Sequence, residues 1–193
     1  MAFLREDAFI KRFWIHCTFL SIIIVSTFLA YSNALNGEPI FDDVVYTFAD
    51  PLYQSPHAFK SMDPWEAFKG GMRPVTSFTF SLNYYFFGKD TFSYHLTNLL
   101  IHIINGILVY IFIYITLTLP SKSPLIPLLQ RGKLNTPLWQ RGARGDFATE
   151  RWTAFLAALL FSLHPIQTES VSYIYQRAES LSSLFYLASL ISF

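Results

Sequence analysis

The feature that most constrains this chain is a set of long stretches without a single charge. From Phe13 to Gly37 no Asp, Glu, Lys or Arg appears, and Trp14–Tyr31 within that run is predominantly apolar. A second charge-free run covers Thr91–Ser121 and is densest from Leu96 to Leu119. Crossing a bilayer takes about 20 apolar residues, because ~30 Å of hydrocarbon is covered at ~1.5 Å per helical residue. Lipid offers no partner to backbone N–H and C=O groups, so such runs must be helical. A third run, Trp152–Thr168, is strongly apolar only as far as Leu163, just before His164-Pro165. A fourth starts near Ser180 and reaches Phe193. Leu181–Phe193 as a helix spans roughly 20 Å, short of the hydrocarbon thickness. That length predicts a truncated last span in the front part of a longer protein. The expected fold class is an all-α membrane protein, a polytopic transmembrane bundle of about four spans.

Composition supports this reading. Phe, Tyr and Trp make up 18% of the residues and only 14% are charged, against about 25% charged in an ordinary globular chain. The net charge of +1 provides no global field for nucleic acid, so the expected partner is the bilayer. Cys17 is the lone cysteine and lies inside an apolar run, where it reads as a small packing residue.

Lys and Arg orient the bundle. Arg5, Lys11 and Arg12 precede the first span, and Lys122, Arg131, Lys133, Arg141, Arg144 and Arg151 lie between the second and third. Between the first and second spans, four basic residues are outnumbered by seven acidic ones. The N-terminus and residues 120–151 are therefore expected in the cytoplasm. Residues 37–94 and 164–179 are expected outside, in a bacterial periplasm or an endoplasmic reticulum lumen. The first span is longer than the roughly 7–15 apolar residues of a signal peptide, which favours a retained helix. The resulting domains are 1–35 (tail and first span), 36–94 (outer loop), 95–119 (second span), 120–151 (a flexible cytoplasmic insertion) and 152–193 (third span, outer motif loop and start of a fourth helix).

The loops carry further signals. Pro127-Leu128-Leu129-Gln130-Arg131-Gly132 is echoed by Pro137-Leu138-Trp139-Gln140-Arg141-Gly142, and Pro and Gly at that density oppose regular structure. In the outer loop Asp63-Pro64-Trp65-Glu66 has the pattern of a capping box with Pro at the first helical position. Arg73-Pro74 opens a second helix, closed by Gly88, in which Val75, Phe78, Leu82, Tyr85 and Phe86 recur at helical spacing. Both helices are expected to be interfacial.

Four groups of polar residues are candidates for chemistry. Asp42 and Asp43 leave the membrane as a pair. They are either solvated loop charges or a general base with an orienting or cation-binding partner, since a desolvated carboxylate is the stronger base. His95, Asn98, His102 and Asn105 share one face of the second span, which must point into the bundle or a wet cavity. For His102 and Asn105 the favoured role is interhelical hydrogen bonding; His95, at the outer mouth, is the better site candidate. The segment from His164 to Glu179 concentrates Glu169, Gln176, Arg177 and Glu179. A helix there would stack Glu169, Tyr173 and Arg177. Arg177 either pairs with a Glu or holds an anionic headgroup through bidentate bonds. Arg73 suits a phosphate, or else pairs with Asp63 or Glu66.

Taken in order, several stretches resemble a known family. They are Phe41-Asp42-Asp43, Arg73-Pro74-Val75-Thr76-Ser77-Phe78-Thr79-Phe80-Ser81-Leu82-Asn83-Tyr84, Tyr94-His95-Leu96-Thr97-Asn98-Leu99-Leu100-Ile101-His102, Leu163-His164-Pro165-Ile166-Gln167-Thr168-Glu169-Ser170-Val171 and Gln176-Arg177-Ala178-Glu179. The series looks like the N-terminal part of the membrane O-mannosyltransferase-like proteins with C-terminal tetratricopeptide repeats, which are of the GT-C class of glycosyltransferases. The resemblance covers most of the chain outside residues 120–150, which look like an insertion. It implies transfer of a sugar, mannose in the family, from a polyprenyl-phosphate carrier to a protein hydroxyl or other acceptor on the outer face. It also implies inversion by direct displacement. Asp42 or Asp43 would then be the base or would bind a divalent cation. Arg73, His95, His164, Glu169, Arg177 and Glu179 would contact the lipid phosphate or substrate. The competing readings are a non-catalytic membrane anchor of a repeat protein and a transporter fragment. No second copy of the His95–Asn105 pattern supports the latter.

Overall fold

The computed structural model describes residues 2–40, 43, 73–118 and 147–193. Asp42, the capping-box segment at Asp63–Glu66 and the Pro/Gly echo at 127–142 lie outside the described residues. Within them, every regular element is helical.

The first apolar run forms α1 (Ala2–Tyr31) and runs on as a 3-10 turn through Ser32–Asn36. Helix α2 (Pro74–Phe87) starts where Pro74 supplies a preset φ and lacks only an N–H that a first turn would leave unpaired. It ends at Gly88, whose φ of 61° lies in the left-handed region that glycine tolerates. The second run is α3 (Thr91–Thr118) and the third is α4 (Phe147–Leu163). Helix α4 begins inside the segment expected to be a flexible insertion, since residues 147–151 are already helical. After a 3-10 turn at Pro165–Gln167 come α5 (Thr168–Ser172), a second turn at Ile174–Gln176, and α6 (Arg177–Ser192).

Among the described residues, two stretches are long and apolar enough to cross a membrane, Phe13–Asn36 and Thr91–Thr118. With 17 and 16 residues, α4 and α6 fall short of the ~20 that a perpendicular crossing takes. The expectation of a fourth helix from near Ser180 is corrected at its start. Helix α6 opens three residues earlier, on Arg177, and buries that charge.

Helix α3 is the hub, packed against α1, α2, α4 and α6. At one end of the bundle Phe19 and Ile23 of α1, Tyr110 of α3, and Ala154, Phe155 and Ala158 of α4 form a core. Phe19 stacks on Phe155 with centroids 4.5 Å apart. Ala154 and Ala158, one turn apart and fully buried, let the α4 backbone approach closely, as small residues do at membrane helix interfaces. At the other end Tyr31, Leu35, Leu99, Ile103 and Val171 pack together. Phe80, Tyr94 and Ile174 form a third cluster.

The outside of the molecule is apolar. Trp14, Val25, Leu29, Leu156, Leu160, Phe86 and Phe87 are each more than half exposed, an extent of bare hydrocarbon that fits contact with lipid or with further protein. Helix α2 follows the same rule. Of its predicted stripe, Val75, Phe78, Tyr85 and Phe86 face outward and Leu82 is half-buried, while Ser77, Phe80, Ser81 and Asn83 are buried. Because lipid tails are as apolar as leucine, hydrogen bonding and close packing have to hold such helices together. The polar face of α3 is therefore central to the fold.

Candidate functional site

The four residues of the α3 stripe all point inward, each 4% exposed or less. Each donates to a backbone carbonyl of a different segment. His95 Nε2 bonds Gly37 O at the end of the first run, at 3.3 Å. Asn98 Nδ2 donates to Tyr173 O and Ile174 O at 3.2 and 3.3 Å. His102 Nε2 bonds Ser162 O at 3.0 Å, one of the last α4 carbonyls and hence without a helical partner. Asn105 Nδ2 donates to Ser180 O at 2.9 Å. One helix thus satisfies carbonyls from the end of the first run at Gly37, from α4, from the 173–174 turn and from α6. His95 Nδ1 and Asn105 Oδ1 are buried with no partner among the described residues.

Arg177 is wholly buried and ties three helices. Its Nε donates to Asn98 Oδ1 at 2.7 Å and Nη1 to Asn83 Oδ1 at 2.7 Å. Nη1 also reaches Thr79 Oγ1 at 3.5 Å, and Nη2 donates to Tyr94 O at 3.1 Å. The guanidinium lies 4.3 Å from the Phe80 ring centroid, the cation–π arrangement open to a delocalised planar cation. Of the two roles weighed for Arg177, pairing with a Glu is not seen among the described residues, where its partners are amides, a hydroxyl and a carbonyl. The expected stack of Glu169, Tyr173 and Arg177 does not form either. Tyr173 leaves α5 with φ −93° and ψ 115°, and α6 restarts four residues later.

Asp43 sits where the outer loop meets the 173–176 turn and is 1% exposed. Its Oδ1 accepts from Tyr175 N at 2.7 Å. Its Oδ2 accepts from Ile174 N at 3.4 Å and Ile40 N at 3.5 Å. Burial pushes its carboxyl above the usual carboxylate range, against the pull of those three N–H groups and of the nearby His95 ring. Asp43 and His95 are thus brought together, with Gly37 and Ile174 between the segments that carry them.

The other sequence candidates separate. Arg73 is exposed at the start of α2, its carbonyl accepting from Ser77 N at 3.0 Å. His164 caps the Pro165–Gln167 turn, its Nδ1 accepting from Ile166 N at 3.2 Å. Glu169 and Glu179 line a cavity of about 490 Å³ with Gln176, Asn105 and His102. Among the described residues no three His, Cys, Asp or Glu converge as a metal site would require. Sequence reasoning missed Asn83 and the backbone N–H groups of Ile174 and Tyr175. Asn83 had a legible signal, a carboxamide inside an aromatic helix; the backbone donors had none.

Among the described residues, two membrane-length helices, a largely apolar outer surface and a polar network closed on backbone carbonyls fit a helical membrane protein. One group of ionisable residues, Asp43 with Glu169, Arg177 and Glu179, gathers around the 164–179 segment. Over 185 residues, 89% of this chain and 22% of the relative, it is 30% identical to a protein O-mannosyl-transferase of Caenorhabditis elegans. It is 31% identical to protein O-mannosyl-transferase tmtc2 of Xenopus laevis over 86% of this chain and 17% of that one. To human protein O-mannosyl-transferase TMTC3 it is 29% identical over 90% of this chain and 16% of that one. The chain therefore spans about a fifth of the length of the curated relatives it matches. No family model and no solved structure matches it.

Proposed function

We propose that this chain is part of a membrane glycosyltransferase that moves mannose from a polyprenyl-phosphate carrier to a protein hydroxyl. The observation that carries the proposal is the similarity to proteins named protein O-mannosyl-transferases over most of this chain. The stretches that carry the motif resemblance also meet in space. Asp43 bonds the 174–175 backbone, and Arg177 joins Asn83 to Asn98.

In this reading Asp43 and Asp42 divide the labour. Asp43 has its oxygens on the backbone N–H groups of Ile40, Ile174 and Tyr175, so it serves as an anchor. Asp42 is the base that accepts the acceptor hydroxyl's proton as oxygen attacks the anomeric carbon and the carrier phosphate departs. A divalent cation on Asp42 is the alternative use of the same carboxylate. Arg73, exposed and cationic, meets the leaving phosphate, with His164 beside the same outer segment as a second donor. Among the described residues Arg177 has no carboxylate partner, so it adds positive potential instead of a direct contact. The bundle is completed in the bilayer with α4 and α6 as further spans, their short apolar length met by local thinning of the bilayer. The N-terminus is cytoplasmic and the Asp42–Asp43 pair lies on the opposite face.

The test is transfer of labelled mannose from a polyprenyl-phosphate donor to a Ser/Thr peptide by the full-length gene product. Asp42→Asn is expected to lower the rate by about 10²–10⁴-fold, the usual worth of a positioned base. Undiminished transfer in Asp42→Asn, Asp43→Asn and the double variant removes the site.

A further inference from the structure

Asp43 meets the 173–176 turn through two peptide groups, and both of these are also held from their opposite ends. One peptide unit joins Tyr173 C=O to Ile174 N–H, and the next joins Ile174 C=O to Tyr175 N–H. Their N–H groups donate to Asp43, Ile174 N to Oδ2 at 3.4 Å and Tyr175 N to Oδ1 at 2.7 Å. Their carbonyls both accept from Asn98 Nδ2 of α3, at 3.2 and 3.3 Å. A trans peptide points its C=O and N–H in opposite directions, so the turn lies between the Asn98 carboxamide and the Asp43 carboxylate. The turn has bonds of its own, from Gln176 N to Tyr173 O at 3.3 Å and from Arg177 N to Ile174 O. A carbonyl oxygen has two lone pairs, so these close the turn without Asn98. What Asn98 adds is placement.

Asn98 is fully buried, and its orientation is set from behind. Arg177 Nε donates to Asn98 Oδ1 at 2.7 Å. A guanidinium has donors and no acceptor, so the oxygen of the carboxamide has to face Arg177 and its NH2 faces the turn. The result is one head-to-tail series of guanidinium, carboxamide, two peptide groups and carboxylate. Dipoles aligned in this way between a cation and an anion polarise one another. An Asp at this position would pair with Arg177 but would turn an acceptor toward two carbonyls. One turn earlier on α3, His95 bonds Gly37 O at 3.3 Å, in the chain leading to Asp43.

We propose that Asn98 is a positioning residue of the transfer site, which through these two peptide groups sets where the 173–176 turn presents its N–H groups to Asp43. Its part in transfer rests on the glycosyl-transfer reading; its hold on the turn does not. The experiment is residue-resolved hydrogen exchange on the full-length gene product in lipid nanodiscs, with transfer kinetics on the same samples. Asn98→Asp keeps an acceptor for Arg177 and removes the donor to the turn. The Ile174 and Tyr175 amides are expected to exchange about tenfold faster in it, the worth of one hydrogen bond, as they are in Asp43→Asn. The Gln176 and Arg177 amides, which report the turn itself, should keep their wild-type rates. The kcat for mannose transfer should fall about tenfold with KM for donor and acceptor peptide unchanged, because groups are misplaced and not lost. Asn98→Ala should release the same two amides and is read in the same way if Asn98→Asp does not fold. Wild-type exchange at Ile174 and Tyr175 overturns the proposal. So does faster exchange at all four amides, which is loosening of the bundle, or a wild-type kcat beside the altered exchange. The expected exchange pattern in a protein that transfers no mannose sinks the transfer reading instead and leaves the hold on the turn standing.

Discussion

At the residue scale, two buried ionisable groups decide most of the energetics, and they are held differently. Arg177 has neutral acceptors and an aromatic face around it. Its replacement by Met leaves Asn83 Oδ1 and Asn98 Oδ1 without the donor that Arg177 supplies, each an unmet buried acceptor worth about 1–3 kcal/mol. Arg177→Lys keeps the charge but loses the planar fork that reaches three directions at once. Both variants are expected to lose at least about 2 kcal/mol in denaturant titrations, and an unaffected Lys variant would show that charge alone suffices. Asp43 supplies the pH dependence. Its carboxyl titrates higher in the fold than in the unfolded chain because burial outweighs its three N–H bonds. The folded state therefore binds the extra proton. The resulting stability is fully present below the unfolded value of about 3.9 and fades as pH rises through the folded one. Thermal midpoints should rise on acidification from neutral pH toward that window, and Asp43→Asn should remove this part of the slope. Equal slopes in the two proteins would show that Asp43 is not desolvated.

At the scale of elements, α3 and α4 meet at a point where no side chain has room. A Cβ on Gly106 would lie 2.3 Å from Ser162 Oγ and 3.4 Å from Ile23 Cγ2. Ser162 Oγ has no hydrogen-bond partner among the described residues, so removing it sacrifices nothing polar. Gly106→Ala is expected to destabilise by about 1–3 kcal/mol through overpacking. Ser162→Ala alone should be close to neutral, and the double variant should recover most of the loss. A double-mutant cycle reads that coupling directly; simple additivity would mean that the two helices do not touch there. The same crossing is fixed by His102 on Ser162 O, so glycine and histidine, one turn apart, set both the closeness and the register of α4.

At the scale of the whole molecule, the bundle has two distinct ends. Trp152 and Phe19 meet at one end, with ring centroids 4.8 Å apart. Asp43, His95 and the 173–176 turn meet at the other. The two segments that the charge distribution assigns to one side of the membrane are thus in contact in the folded chain. The topology predicts that a cysteine at Val44→Cys, in a Cys17→Ser background, reacts with a membrane-impermeant maleimide from the non-cytosolic side of sealed vesicles. A cysteine at Ser123→Cys should react only after the vesicles are opened. Labelling of Val44→Cys only from the cytosolic side would place the acidic pair away from the face that the transfer reaction needs.

The amino-acid sequence alone determined the helical class, because charge-free runs of membrane length leave the backbone no other way to satisfy itself. It also determined the inward face of α3, since four polar residues at helical spacing cannot all face lipid. The limits of α2 were legible in Pro74 and Gly88, which act locally. Only the tertiary structure decided what the polar groups do. Asp43 and Arg177 read alike as charges beside a membrane. Whether each is a ligand or an anchor depends on donors and acceptors distant in sequence, the N–H groups of Ile174 and Tyr175 and the oxygens of Asn83 and Asn98. Backbone donors carry no residue signature, and an asparagine does not announce which cation it will meet. The partition of charges between anchoring and an open cavity is therefore a property of packing.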